Sequence, residues 1–137
     1  NYTVKYASGR KNVGKYSVTV TFKNGYTGKY TKTFQILPKG TKIKSVKAAK
    51  KAFTAKWSKQ ATQTTGYQLQ YSTSKSFKKS VKTSTISKNK TVSKTVKKLK
   101  AKKTYYVRVR TYKTVKVSGK SVKLYSGWST VKKVKTK

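Results

Sequence analysis

Between Thr104 and Thr111 the chain reads TYYVRVRT, and its side chains sort by parity. Tyr105, Val107 and Val109 make one apolar set; Tyr106, Arg108 and Arg110 make an aromatic and cationic one. A period of two is the mark of a β-strand with one dry and one wet face. The dry face must be covered by a second sheet, which restricts the chain to a sandwich. Leu99 precedes this strand across a polar, Lys-rich turn and is read as its apolar anchor.

The same alternation recurs upstream. AFTAKWSK places Phe53, Ala55 and Trp57 on one face, and GYQLQYSTS places Tyr67, Leu69 and Tyr71 on one face with Gln68 and Gln70 opposite. Further strands are expected over Ile43–Ala48, over VKTSTIS, from about Thr91 to Lys97 with Val92 and Val96 inward, and in WSTVKKVKTK. VKTSTIS is polar and reads as an edge strand, its Lys82 and Lys88 opposing edge-to-edge pairing. Phe77 is expected to tuck under the SKSFKKS loop. Val131 and Val134 stand three apart, so a bulge or an exposed Val is expected there. The loop from Thr114 to Gly127 is long for a hairpin; it reads either as a recognition loop or as a two-stranded extension with Val115 and Val117 against Val122 and Leu124. No window shows helical periodicity. The expected fold is all-β: a seven-stranded sandwich over residues 42–137.

Residues 1–37 read as three short strands, YTVKYAS, GKYSVTVTF and GKYTKTFQIL, with turns at Ser8-Gly9, Asn12-Val13-Gly14 and Asn24-Gly25. So small a unit rarely buries enough surface by itself. Leu37-Pro38-Lys39-Gly40 is a short, stiff junction, and residues 38–41 are taken as the linker. Asn1 is not Met and no signal peptide or long apolar run is visible, so the chain is read as a processed or excised piece without a membrane span.

Composition removes whole classes of chemistry. The chain holds 37 Lys and Arg, of which three are Arg, and no Asp, Glu, His or Cys. There is no carboxylate pair for acid–base catalysis, no Ser/His/Asp or Cys/His triad, and none of the usual side chains that hold a metal. The expectation is a non-enzyme without cofactor or metal. The alternating aromatics and valines argue against a disordered polycation.

The motifs carry a family resemblance. Trp57 on the second strand, Gly66, Tyr67, Leu69 and Tyr71 on the third, and Leu99, Ala101, Lys103, Tyr105, Val107 and Val109 leading into the sixth resemble a fibronectin type III domain. Ala101 stands where that family usually has Pro, and the Thr of the turn has slipped to Thr104. The resemblance implies that Tyr105 is a tyrosine corner, its hydroxyl bonded back to the preceding loop. Trp57, Tyr67, Leu69, Tyr71, Leu99, Tyr105, Val107, Val109 and Trp128 are assigned structural roles. Runs such as GYQLQYSTSKSFKK and KKLKAKKTYYVRVRTYK are similar to Lys-rich repeats of clostridia-like, Gram-positive cell-surface proteins, and residues 1–37 resemble the second half of a bacterial immunoglobulin-like repeat. This implies an extracellular, secreted or cell-wall-associated source.

The charge is the functional signal. Residues 1–40 carry eight positive charges and residues 41–137 carry 29. Lysines cluster at Lys94, Lys97, Lys98, Lys100, Lys102 and Lys103, and again at Lys113, Lys116, Lys120 and Lys123. Their mutual repulsion would be relieved by an anionic polymer, such as teichoic acid, sulfated glycan or nucleic acid. On the wet face of the sixth strand, Tyr106, Arg108 and Arg110 are expected beside Gln68 and Gln70, placed either to grip phosphate or sulfate or merely to cover apolar surface. The expected function is a non-catalytic adhesion or spacer module that binds polyanions. One alternative is a secreted ligand of a host protein receptor. The other is a self-assembling subunit in which residues 1–37, an incomplete unit with exposed strand edges, are completed by a neighbouring chain through strand augmentation.

Overall fold

The computed structural model describes residues 2–6, 12–22 and 28–137. The first three strands are β1 (Tyr2–Tyr6), β2 (Gly14–Phe22) and β3 (Lys29–Ile36), paired antiparallel in the order β1-β2-β3. The turns expected at Ser8-Gly9 and Asn24-Gly25 lie outside the described residues. Tyr16 faces Phe34 across the β2–β3 pair, ring centroids 5.7 Å apart, and its hydroxyl donates to the Asn12 carbonyl at 2.8 Å. Tyr16, Val18, Val20, Phe34 and Ile36 are only partly covered, and Tyr30 and Leu37 are 58% and 50% exposed.

Short polar ties join this sheet to the downstream strands. Pro38 is buried, and the Thr111 hydroxyl donates to the Lys39 carbonyl at 2.8 Å. Gln60 Nε2 donates to the Gly40 carbonyl at 3.2 Å, and the Thr41 hydroxyl donates to the Ser58 carbonyl. The Val13 N–H reaches Gln63 Oε1 at 3.1 Å.

The remaining strands form a two-layer sandwich: β4 (Ile43–Ala49), β5 (Ala52–Trp57), β6 (Gly66–Ser72), β7 (Lys82–Ile86), β8 (Ser93–Val96), β9 (Thr104–Val117), β10 (Lys120–Tyr125) and β11 (Lys132–Lys135). One layer runs β4-β5-β8; the other runs β10-β9-β6-β7, with β11 also on β9. The expected seven strands become eight segments for two reasons. Thr114–Gly127 takes the hairpin form, with Val115 opposite Val122, and turns at Ser118 and Gly119, both at positive φ (51° and 77°). The chain then stays on β9 but slips. Tyr125 pairs with Tyr112, Ser129 donates its N–H to the Val109 carbonyl at 2.8 Å, and Lys132 pairs with Val107. Each interval holds one residue more than regular pairing allows, which is the irregularity that the Val131/Val134 spacing foreshadows.

Parity decides the core. Phe53, Ala55 and Trp57 from one layer meet Tyr67, Leu69, Val107 and Val109 from the other, all of them 0–1% exposed. Val96 is buried beside them, and Val92, Tyr71 and Leu99 pack against the cluster. With no acidic side chain to neutralise 37 cations, cohesion rests on this burial, about 1.5–3 kcal/mol for each large apolar side chain. Gly66 is needed where β6 crosses the end of β7: a Cβ there would sit 2.0 Å from the Ile86 carbonyl oxygen.

The two sides of the sandwich differ. On one, Lys137 accepts from the Lys51 N–H at 2.9 Å and donates to the Ala49 carbonyl at 3.0 Å, tying the last residue to the β4–β5 hairpin. On the other, β7 and β8 are the terminal strands of their sheets and do not pair with each other.

Candidate functional site

The lysines divide on folding. Lys97, Lys98, Lys100 and Lys103, all in the β8–β9 connection, converge on a cavity of about 550 Å³ at the unpaired β7/β8 side. Lys82, the first residue of β7, joins them from the opposite lip, with Thr73 and Ser80. Tyr71, Leu99 and Tyr105 form its lining toward the core. Lys102 is exposed in the same connection but does not line the cavity, and Lys94 lies on β8. Lys113, Lys116, Lys120 and Lys123 stand on the β9–β10 ribbon instead, where Lys123 Nζ lies 5.3 Å from the Tyr112 ring.

The basic connection is pinned along its length. The Leu99 N–H donates to the Lys51 carbonyl at 2.9 Å. The Lys100 N–H donates to the Tyr105 hydroxyl at 3.1 Å, the back-bond of a tyrosine corner. The Thr136 hydroxyl donates to the Lys100 carbonyl at 2.6 Å and accepts from the Lys103 N–H at 3.0 Å. Lys98 and Lys102 take left-handed backbone, φ 59° and 52°. A loop held this way has little backbone ordering left to do on binding, so the cost falls on the exposed lysine side chains. Burial, and secondly the neighbouring Tyr105, push the Tyr71 hydroxyl above its ordinary range, so it stays a protonated donor at neutral pH.

The wet face of β9 is a second constellation. Gln68 pairs in register with Arg110, and Gln70 with Arg108. Each guanidinium presents Nε and Nη2 to one amide oxygen: Arg110 to Gln68 Oε1 at 3.0 and 2.8 Å, Arg108 to Gln70 Oε1, with Nε at 2.8 Å. Their planes are sandwiched. Arg108 lies 4.0 Å from the Phe77 ring and 4.4 Å from Trp128; Arg110 lies 4.3 Å from Trp128 and 3.8 Å from Tyr125. The order is Phe77, Arg108, Trp128, Arg110, Tyr125, a ladder of alternating rings and cations. Burial lowers the proton affinity of both arginines, aided at Arg108 by its neighbour Arg110 and opposed at Arg110 by Tyr125. Both stay charged, since arginine does not deprotonate in proteins.

The ladder commits both faces and one edge of each guanidinium, so the arginines chiefly fasten the slipped segment around Trp128 onto β9. Tyr106 shares their strand but lies outside the ladder, near Lys75, Val131 and Lys133. Phe77 folds onto Arg108, so the SKSFKKS loop closes on the outer face. Lys82, Phe77 and Tyr125 escape a reading of the sequence as partners of these sites. Two arginines at i and i+2 on a wet face, with Tyr125 and Trp128 three apart downstream, are the pattern that signals such a ladder.

Among the described residues no group of three metal-ligating side chains occurs, and no helix is long and apolar enough to cross a membrane. No curated protein matches the chain. The FN1–FN3 domains of chicken CNTN1 share its fold with a TM-score of 0.58 at 21% identity, over 91% of this chain and 43% of that one. Domains A168–A170 of titin align with a TM-score of 0.50 at 19% identity, over 98% of this chain and 48% of theirs. The chain thus spans under half the length of either structure. The family model for the fibronectin type III domain matches residues 37–126, about two thirds of the chain, and the chain belongs to the fibronectin type III family.

Proposed function

We propose that this chain is a non-catalytic adhesion and spacer module of a bacterial surface or secreted protein that holds anionic polymers through its lysines. Fibronectin type III domains are common extracellular spacer and adhesion modules and are typically non-catalytic. The observation that carries the polyanion reading is the convergence of Lys82, Lys97, Lys98, Lys100 and Lys103 on one cavity in a chain with no Asp or Glu to neutralise them. Five lysines lining one cavity, four of them on a connection with an anchored backbone, favour a polymer with repeated negative charge, because each contact also relieves lysine–lysine repulsion. Teichoic acid, sulfated glycan and nucleic acid all have the needed charge.

Retention on immobilised heparin and on teichoic acid, against a polylysine of equal charge, tests this reading. The folded chain should elute at higher salt than the polylysine, and neutralising the cleft lysines should remove the difference. Elution together with polylysine would sink the claim to specificity.

A second reading, self-association through residues 1–37, is supported by the partly covered Val18, Val20, Phe34 and Ile36 and by exposed Tyr30 and Leu37. It requires a solution mass well above 15.5 kDa that collapses to the monomer when residues 1–37 are removed.

A further inference from the structure

We propose that the cleft between the β7 and β8 edges seats one anionic ester of a sugar or polyol, its sulfate or phosphate among the lysines and an adjacent hydroxyl on Tyr71. The inference rests on the polyanion reading and narrows it from the whole cationic surface to one place and one repeating unit.

Four observations carry it. The cavity, about 550 Å³, falls within the range of small-ligand sites. Its lip is basic on both sides, Lys82 facing the lysines of the 97–103 connection. That connection is anchored through Leu99, Lys100 and Lys103, so the amines approach from a fixed frame. Finally, Tyr71 lines the cavity, and its hydroxyl has no hydrogen-bond partner among the described residues, while the Tyr105 hydroxyl is taken by the Lys100 N–H. One neutral donor below a ring of cations matches a unit that carries a hydroxyl beside a charged ester.

The same floor disfavours a nucleobase. Single-strand binders offer open aromatic faces for stacking. Here Tyr105 is 7% exposed, and Tyr71 lies against Phe53 and Tyr105 in edge contacts with centroids 5.7 and 6.3 Å apart. Buried Tyr105 and a Tyr71 packed against two other rings leave little aromatic face for a base.

The test uses the full chain, labelled with 15N, in salt at about 0.15 M, where exposed charges more than about 8 Å apart are largely screened. The probes are a heparin-derived tetrasaccharide, a glycerol phosphate oligomer, a short single-stranded DNA and inorganic phosphate. The expected result is saturable amide shifts confined to Lys82 and residues 97–103 with one or both of the first two probes; which one responds separates sulfated sugar from phosphorylated polyol. Inorganic phosphate should bind at least about tenfold more weakly, lacking the hydroxyl and the repeat. Neutralising Lys97, Lys98, Lys100 and Lys103 together to Gln should weaken binding by about tenfold or more; neutralising exposed Lys15, Lys29, Lys47 and Lys56 should change it by less than about threefold. Tyr71→Phe, which keeps the ring, should cost about threefold to fivefold with an unchanged thermal midpoint.

Equal losses from the two quadruple variants, or shifts spread over lysines everywhere, overturn the cleft while leaving the polyanion reading standing. DNA bound at the cleft as tightly as the tetrasaccharide overturns the ligand class. If the wild-type chain binds neither long heparin nor teichoic acid, both readings fall.

Discussion

Trp128→Leu isolates the arginine–aromatic ladder from ordinary burial. Trp128 is the central rung, with the guanidinium carbons of Arg108 and Arg110 at 4.4 and 4.3 Å from its ring. A cation–π contact is worth about 0.5–1 kcal/mol when exposed and about 2 when desolvated. Both arginines are half-buried, so about 1 kcal/mol for each contact is the appropriate scale. Leucine keeps much of the apolar cover, and Gln68 and Gln70 still accept from the guanidiniums, so no buried cation is stranded. The expected loss is therefore roughly 2 kcal/mol, which is about a thirtyfold rise in the unfolded fraction. Phe77→Leu removes a single terminal contact and should cost roughly 1 kcal/mol. The assay is urea unfolding, with the midpoint lowered and the slope unchanged. Losing less than about 0.5 kcal/mol in Trp128→Leu, or no more than in Phe77→Leu, would refute the ladder as a fastening device.

Three further outcomes are expected from the geometry. Gly66→Ala should destabilise by about 3 kcal/mol or prevent folding, because the new Cβ, placed by its own backbone, meets the Ile86 backbone carbonyl oxygen at 2.0 Å; a loss under about 1 kcal/mol, read by the same unfolding assay, would contradict it. The chain should be stabilised by added salt, its thermal midpoint rising by several degrees between low and moderate ionic strength, since a compact body with a charge of +37 repels itself more than the extended chain does; a flat or falling midpoint would contradict that. Tyr71 binds its proton more tightly folded than unfolded, so above its ordinary value of 10.0 the unfolded state loses protons first and stability falls. Tyr71→Phe lacks this one group and is the reference. The stability difference between the two should therefore move against the wild type from pH 9 to 11, and a constant difference across roughly that window would be the contrary result.

The core is legible in the sequence because burial and parity are the same signal in a two-faced sheet. Phe53, Ala55 and Trp57, or Tyr67 and Leu69, cannot alternate as they do and face water. The tyrosine corner is legible only through the resemblance of the run from Leu99 to Val109 to the fibronectin type III motif, and the Lys100–Tyr105 bond closes it. The cross-sheet pairs Gln68–Arg110 and Gln70–Arg108 arise from two strands in register. What the pattern cannot supply is anything set by irregular backbone. Phe77 reaches Arg108 from a loop with its own φ at 54°, and no periodicity reports that. The break between β10 and β11 shows only as an uneven valine spacing, although it is what brings Trp128 over two arginines. Lys82 reads in the sequence as an edge-protecting charge. Its place on the cleft depends on β7 and β8 ending their sheets on the same side, a property of topology that neither strand carries alone.

The proposed cleft focuses anion binding at five lysines rather than spreading it over the whole cationic surface. The salt dependence of affinity for the heparin-derived tetrasaccharide measures this directly. Each neutralised anionic group contributes roughly 0.7 to the slope of log affinity against log salt, by analogy with single-stranded polyanions, so one ester seated in the cleft with neighbouring groups of the tetrasaccharide on the other lip lysines predicts a slope of up to about −3.5. The quadruple cleft variant should then fall toward about −1. A wild-type slope that the cleft substitutions leave unchanged would contradict the account.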